Sequence, residues 1–346
     1  MMPVIFLNLI LTNIEMITLG IEGTAHTFSV GIFDGAKILS NVKDAYVPKK
    51  GSGIHPAEAA DHHRTAAGKV FDAALEAANL IYTDIDYLAY SKGPGLPPCL
   101  KAVTEFVRSL SEKRTIEVNH PVAHIEIAKF MTGARDPVVI YVSGGNTQII
   151  GLLGGRYRVM GETEDIPVGN AFDTFIRSVD GRQPGGPILD ALAAEGKNYI
   201  ELPYVVKGMD LSFSGIVTAA TKKFHDGSDL KDLSFSFQET CYAMLCEVAE
   251  RAMAHSGKNE LLLTGGVAAS KRLREMLDVM ARERGSRAYF CPLEYSGDNG
   301  AMIAVAAHMA INGGQAAISS KEADFNSRWR VDEVPVSWSG DQKAKI

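Results

Sequence analysis

VNHPVAHIEIAKFMTGARDPVVIYVSGGNTQIIGL, residues 118–152, sets two patterns side by side. The first carries His120 and His124 on either side of Pro121-Val-Ala. A helix repeats every 3.6 residues, so imidazoles at i and i+4 stand one above the other and can grip a single ion. Pro121 suits the first turn of that helix, where its missing N–H costs nothing. The second pattern is a strand, VVIYVS, a Gly144-Gly145 turn and a second strand, TQIIGLL. Paired glycines can take backbone angles that other residues avoid, so successive N–H groups can turn toward an anion. The stretch therefore predicts a metal helix feeding a phosphate turn, a place where a metal meets a nucleotide or acyl-phosphate.

The rest of the 346-residue chain is long enough for two domains, and 46% hydrophobic with 22% charged residues is the composition of an ordinary globular protein. A formal charge of −6 excludes nucleic acid binding driven by overall basicity. Any such partner needs a local patch or a helper subunit. Cys99, Cys241, Cys246 and Cys291 form no CxxC pair, so they read as free thiols in a reducing compartment, the cytoplasm by default. The opening MMPVIFLNLILTNIEM lacks a basic leader and a cleavage site and is too short to span a bilayer, which points to Met16 as the functional start.

From Ile17 the chain reads strand, turn at Glu22-Gly23-Thr24, strand, Asp34-Gly35 turn, strand. From Val138 it repeats that unit: strand, glycine turn, strand, Gly154-Gly155 turn, strand. Each unit leads into helices and strands. After the first come a helix opened by Pro56, a strand to Gly95, a helix from Pro98 to Arg114, a strand and the metal helix. After the second come the helix GNAFDTFIRSV, an irregular region rich in Gly and Pro, a long helix near Leu230 to His255, the strand ELLLT, a helix over Lys271 to Arg284, the strand RAYFCP and a last helix after Asp298. Two mixed sheets between helices, with a nucleotide cleft between the lobes, are the expected α/β architecture. It is the duplicated plan of the actin-like, sugar-kinase and heat-shock-chaperone ATPases (ASKHA). The lobes are expected at 16–135 and 136–304, with 305–335 as the candidate completion of the first and 1–15 as an extension.

Further candidates lie downstream. Gly265-Gly266, between a strand and a helix, would admit a flat base or ribose, and Asp173 and Asp190 suit ribose hydroxyls. Asp298 can bring a carboxylate to the two imidazoles, or can cap the last helix. Tyr141 could add a phenolate, and two His, an Asp and a Tyr suit iron or zinc with positions left for substrate. An ion shared by these elements would tie distant segments together, so its loss should loosen the contact between the lobes. A metalloprotease of the H-E-x-x-H kind is disfavoured, because Pro121 stands where its glutamate base would be. The helix from Lys271 to Arg287, with six basic residues against three acidic ones, is a candidate phosphate-binding face.

Taken in order, IEGTAHT, GIHPAEAADHH, SKGPGLPPCL, VNHPVAHIEIAK, YVSGGNTQ, KGMDLSFSG, SFQET, TGGVAAS and DNGAMIA resemble the universal tRNA N6-adenosine threonylcarbamoyltransferase family in its archaeal and eukaryotic branch, formerly described as O-sialoglycoprotein endopeptidases. The resemblance covers about Met16 to Asp332. It implies metal ligands at His120, His124, Tyr141 and Asp298, with iron favoured over zinc. It also implies nucleotide contacts at Tyr141, Val142, Ser143, Gly144, Gly145, Asp173, Gly186 and Asp190. A further contact, asparagine in the family, falls on Ser270, whose hydroxyl has a shorter reach and fewer donors. The implied reaction moves a threonylcarbamoyl group from its adenylate (threonylcarbamoyl-AMP) to N6 of the adenosine just 3′ of the anticodon, in tRNAs reading ANN codons. Glu22 is the candidate for taking the amine proton. The implied partners are tRNA and the KEOPS subunits: a small kinase-like ATPase, fused to the chain in some archaeal relatives, and two small subunits. Alternatives are an ATPase or kinase of the same fold and a nucleotide-binding scaffold.

Overall fold

The computed structural model describes residues 16–48, 53–182 and 184–339. The expected extension 1–15 and the tail ending at Ile346 lie outside the described residues. Strands β1 (Thr18–Glu22), β2 (Thr27–Phe33) and β3 (Ile38–Ala45) form an antiparallel meander. After α1 (Pro56–Ala78), strand β4 (Tyr87–Gly93) adds in parallel to β1; after α2 (Pro97–Ser109), β5 (Arg114–Asn119) adds to β4. Helix α3 (His120–Thr132) leads into the second meander, β6 (Val138–Val142), β7 (Thr147–Leu153) and β8 (Arg156–Glu162). There follow α4 (Val168–Val179), α5 (Gly185–Ala193), a hairpin of β9 (Val206–Lys207) and β10 (Asp210–Leu211), α6 (Ser214–His225) and α7 (Leu230–Ser256). Strand β11 (Glu260–Thr264) pairs with β6 in parallel and, past α8 (Lys271–Glu283), β12 (Arg287–Phe290) pairs with β11. The chain then runs through α9 (Leu293–Ser296) and α10 (Gly300–Asn312) to β13 (Ile318–Ser319), antiparallel to β5.

The sheet orders, β13-β5-β4-β1-β2-β3 and β12-β11-β6-β7-β8, are one order repeated, apart from β13. The duplicated α/β plan is therefore present. Between the sheets lies α3, buried from His120 to Ala128. Its Ala123 and Ile127 join the core under α10, while Val122, Ile125 and Ala128 join the core against Val139, Tyr141 and Leu262 of the second sheet. A helix apolar all round is one packed on both sides, so the two histidines at its start are carried into the middle of the molecule.

Three expectations need correction. Helix α2 ends at Ser109, not near Arg114, which already pairs in β5. The Gly/Pro-rich region is only partly irregular: residues 194–205 carry no regular element, but Gly185-Gly186-Pro187 forms the first turn of α5, where a proline's missing N–H is no loss. Helix α6 starts there too, and Asp165, far back in the chain, accepts from the Ser214 N–H and hydroxyl. The basic face of α8 is largely neutralised, with Arg272 on Glu239, Arg282 on Asp278 and Arg284 on Glu250. Arg274 is turned inward onto the carbonyls of Ala268 and Cys291.

The first turn rests on α1 and α2. A Cβ at Gly23 would stand 2.4 Å from Val103 Cγ2 and 3.4 Å from His63 Nε2. His63 is fully buried, edge-on to Phe28 at 5.6 Å. Burial, with His62 beside it, lowers its pKa from 6.5 to about 4. The ring is thus neutral in the fold, and the unfolded chain binds more protons between those two values. Stability should fall as pH drops through that window, by ~3 kcal/mol in all. Urea unfolding at a series of pH values tests this: His63→Leu should flatten the slope relative to the wild type, and equal slopes would show that His63 does not titrate this way.

Candidate functional site

Asn119 caps α3 by accepting the Val122 N–H at 3.2 Å, and this fixes the direction of its first turn. The rings of His120 and His124 lie 4.7 Å apart, nearly perpendicular. Both Nε2 atoms face one oxygen, Asp298 Oδ1, at 3.6 and 3.2 Å. Ligands about 2.1 Å from a tetrahedral ion stand roughly 3.4 Å apart, so the spacing fits a shared metal. The three donor atoms lie within 4.8 Å of one another. Asp298 is free for this because Asn299, not Asp298, caps α10, accepting the Met302 N–H at 2.9 Å.

Behind the pair sits Glu22, fully buried. Its Oε1 accepts from the Thr24 N–H at 2.7 Å and the Thr24 hydroxyl at 2.6 Å, and its Oε2 lies 3.1 Å from His120 Nδ1. A carboxylate only accepts, so Nδ1 carries the proton and Nε2 is the atom left to face Asp298. Burial pushes His120 down, but Glu22 and Asp298 outweigh it and raise its pKa to about 9. Burial, reinforced by His120, lowers His124. For Asp298, burial acts upward and is overcome by the two histidines, which hold it well below the usual carboxylate range. Tyr141 lies with its ring 5.0 Å from that of His124, and its hydroxyl accepts from Asn146 Nδ2 at 3.4 Å. Burial, then Asp298, raises its pKa well above the ordinary value, so the phenol is protonated here.

Glu126, the acidic residue nearest this pair on α3, accepts from the Tyr157 hydroxyl at 2.6 Å and meets Lys129 at 3.5 Å. Its carboxylate is engaged away from the histidines.

The glycine turn joins the triad to a cavity of about 190 Å³, lined by Gly144, Asp173, Gly186, Asp190, Gly266 and Ser270. Neither Gly144 nor Gly145 takes a positive φ. The turn is instead closed by Ser143, whose hydroxyl accepts from the N–H groups of Gly145 at 3.2 Å and Asn146 at 3.0 Å. What the glycines supply is room, because a Cβ at either would meet nothing within 4 Å. Gly169 presses α4 onto this turn, where a Cβ would stand 2.6 Å from Ser143 O. Gly265 is likewise a packing glycine: at φ +96° its Cβ would collide with Val142 O at 2.2 Å, whereas Gly266 opens to the cavity. Val142 is buried within β6.

Asp173 accepts the Gly185 N–H at 2.6 Å, and burial raises its pKa. Asp190 accepts from Gln238 and, at 3.3 Å, from the Ser270 hydroxyl; burial raises it as well. Ser270 therefore steadies Asp190 in the wall. Sequence reasoning missed Thr24, which locks Glu22, and Gln238, which locks Asp190. Both stand in quoted motifs, IEGTAHT and SFQET, but neither has local spacing that reveals its partner.

Comparison with known proteins identifies the family and the fold. The family model described as TsaD, tRNA N6-adenosine threonylcarbamoyltransferase, matches residues 37–305. The chain is 50% identical over 327 residues to the tRNA N6-adenosine threonylcarbamoyltransferase of Thermococcus kodakarensis, covering 93% of this chain and 100% of that protein. It is 49% identical over 333 residues to a probable bifunctional tRNA threonylcarbamoyladenosine biosynthesis protein of Thermoplasma acidophilum, covering 95% of this chain and 63% of that one. Among solved structures, full-length HypF in its phosphate- and nucleotide-bound form aligns with TM-score 0.59 at 14% identity, over 86% of this chain and 46% of that one. The activator of 2-hydroxyisocaproyl-CoA dehydratase from Clostridium difficile, with bound ADPNP, aligns at 0.52 and 12% identity, over 87% and 97%. These structural likenesses show the ASKHA fold alone. The extent of the family match and the identity to full-length relatives establish that the chain belongs to the tRNA N6-adenosine threonylcarbamoyltransferase family.

Proposed function

We propose that the chain transfers a threonylcarbamoyl group from its adenylate to N6 of the adenosine just 3′ of the anticodon in tRNAs reading ANN codons. The observation that carries this is the single run from α3 through β6 to the glycine turn, which contains both His120 and His124, met by Asp298 from just before α10, and Gly144, which lines the cavity. Gly144, Gly186 and Gly266 offer a wall without side chains to a flat nucleoside, and Asp173 and Asp190 stand within it for ribose hydroxyls.

In the reaction the amine nitrogen bonds to the carbonyl carbon, the bond from that carbon to the phosphate oxygen breaks, AMP leaves with the electron pair and the amine proton passes to water. His120, His124 and Asp298 would hold a transition metal, with Tyr141 as a fourth donor once the ion displaces its phenol proton; such a phenolate would favour iron over zinc. Bound there, such an ion supplies Lewis acidity toward the carbonyl. Glu22 does not meet the amine in this reading, since Thr24 and His120 engage both its oxygens; it orients His120.

Among the described residues no helix is long and apolar enough to cross a membrane, and the free cysteines suit a reducing cytoplasm. A KEOPS-type assembly, including a kinase-like ATPase, is the proposed setting. The bifunctional naming of the Thermoplasma relative supports it. The chain with its partner subunits, given unmodified tRNA and threonylcarbamoyl-adenylate, should yield the modified nucleoside by mass spectrometry. Transfer of a γ-phosphate, or steady ADP release without tRNA, would favour a kinase or ATPase instead.

A further inference from the structure

After β13 the chain becomes a strap between the two sheets. Its near end is fixed to β4: the Asp324 N–H donates to the Tyr90 hydroxyl at 2.9 Å, and the Asn326 N–H donates to Lys92 O at 2.9 Å. Gly93 lies so close beneath that a Cβ would stand 1.9 Å from Asn326 O. Asn119, the cap of α3, donates from Nδ2 to Trp329 O at 3.0 Å. At the far end Val331, Val334 and Val336 are buried in the core of the second sheet, and the Val336 N–H donates to Gly155 O at 2.8 Å. With both ends held, Arg328-Trp329-Arg330 is set in one position.

Beneath that tripeptide is a second cavity of about 100 Å³, lined with it by Pro121, Asn146 and Gln148. Pro121 adjoins His120, and Asn146 reaches the Tyr141 hydroxyl, so this cavity approaches the same cluster as the glycine-lined one. One turn, between β6 and β7, contributes Gly144 to the first cavity and Asn146 to the second.

Its chemistry differs from that of the first. Trp329 is half-buried, with Lys92 Nζ 5.8 Å from its ring centre. Arg330 is balanced by Asp332 at 3.2 Å and Glu162 at 3.8 Å. Arg328 is exposed, and its guanidinium has no partner among the described residues. An indole, side-chain amides and an uncompensated arginine are what an unstacked base with its flanking phosphates requires. Enzymes that act on a base must first take it out of its stack.

We propose that this groove is the acceptor site, in which the purine that receives the acyl group lies against Trp329 while Arg328 meets a neighbouring phosphate. The proposal rests on the acyl-transfer reading and adds to it where the tRNA docks. It also accounts for an acidic chain binding RNA, since the cationic contact is local.

The test uses the chain in its tRNA-modifying assembly, with unmodified tRNA and with an anticodon stem-loop carrying 2-aminopurine at the acceptor position. The wild type should quench the 2-aminopurine. Trp329→Ala should abolish the quenching and raise the KM for tRNA about tenfold or more, with the KM for the donor unchanged, while Trp329→Phe keeps most of both signals. Arg328→Ala, on an exposed side chain that leaves folding undisturbed, should weaken RNA binding and reduce its salt slope by about one. The proposal is overturned if Arg328→Ala and Trp329→Ala modify tRNA with wild-type KM, or if the donor KM rises in place of the tRNA KM, which would make the groove a donor pocket. Absence of transfer by the wild type would instead remove the acyl-transfer reading on which it rests.

Discussion

Replacing both His120 and His124 with alanine should lower bound transition metal from about one ion per chain to less than a tenth, and should slow acyl transfer by more than about a thousandfold. Without the imidazoles only Asp298 and Tyr141 remain, and burial holds the Tyr141 phenol protonated. A Lewis acid is worth several kcal/mol to a developing charge, and each 1.36 kcal/mol is about tenfold in rate. Asp298→Asn keeps the shape and loses the charge, so it should retain more metal than either single histidine variant. Glu22→Gln should weaken retention by roughly ten- to a hundredfold, because it leaves the ligands and removes only the carboxylate that orients His120.

Elemental analysis reads all five variants, and circular dichroism reports whether the fold persists. It should persist. The sequence suggests that metal loss would loosen the two lobes, yet α3 and α10 already pack against each other through Ala123, Ile127 and the apolar face of α10. Undiminished metal in the double histidine variant would place the ion elsewhere.

Much of the architecture is legible in the sequence because it is periodic. The two meanders announce themselves by alternation and glycine turns, and the i, i+4 histidines by helical spacing. What stays hidden depends on partners far away in the chain. Helix α6 is started by Asp165 from another loop, and Glu22 is committed to His120, 98 residues on. The glycines show the same divide. Gly144 and Gly145 stand out in the sequence as conformational glycines, yet neither has a positive φ. Gly20, Gly31 and Gly300, which have no room for a side chain, look unremarkable because the backbone that excludes a Cβ belongs to another element. Basic residues mislead in a similar way. The cluster on α8 is conspicuous but largely paired, whereas Arg328 stands singly in a stretch with no periodicity and its guanidinium has no partner among the described residues.

Gly300→Ala should be among the most damaging single substitutions in the chain, although it adds one methyl group. Helix α10 lies on β1 and β2 at backbone contact: a Cβ at Gly300 would stand 2.3 Å from Gly31 N and 2.4 Å from Val30 C. From the other side, a Cβ at Gly31 would stand 2.2 Å from Ala301 N. Backbone atoms cannot rotate away as a side chain can, so the helix would have to lift. Overpacking in a core costs about 1–3 kcal/mol, and a clash that only moving an element can relieve belongs at or beyond the upper end. Lifting would also break the bond that pins the helix start, in which the Gly300 N–H donates to Ser29 Oγ at 2.8 Å. Asp298 is two residues upstream, so the carboxylate would shift with the helix while the histidines stay on α3. Stability and metal retention should therefore fall together, read by urea midpoint and elemental analysis. Gly68→Ala is the control: it sits in α1 with nothing within 4 Å of its added Cβ, and should stabilise the protein by up to about 1 kcal/mol with metal unchanged. If Gly300→Ala unfolded at the wild-type midpoint with full metal content, neither the backbone contact nor the placement of Asp298 by α10 could be as described.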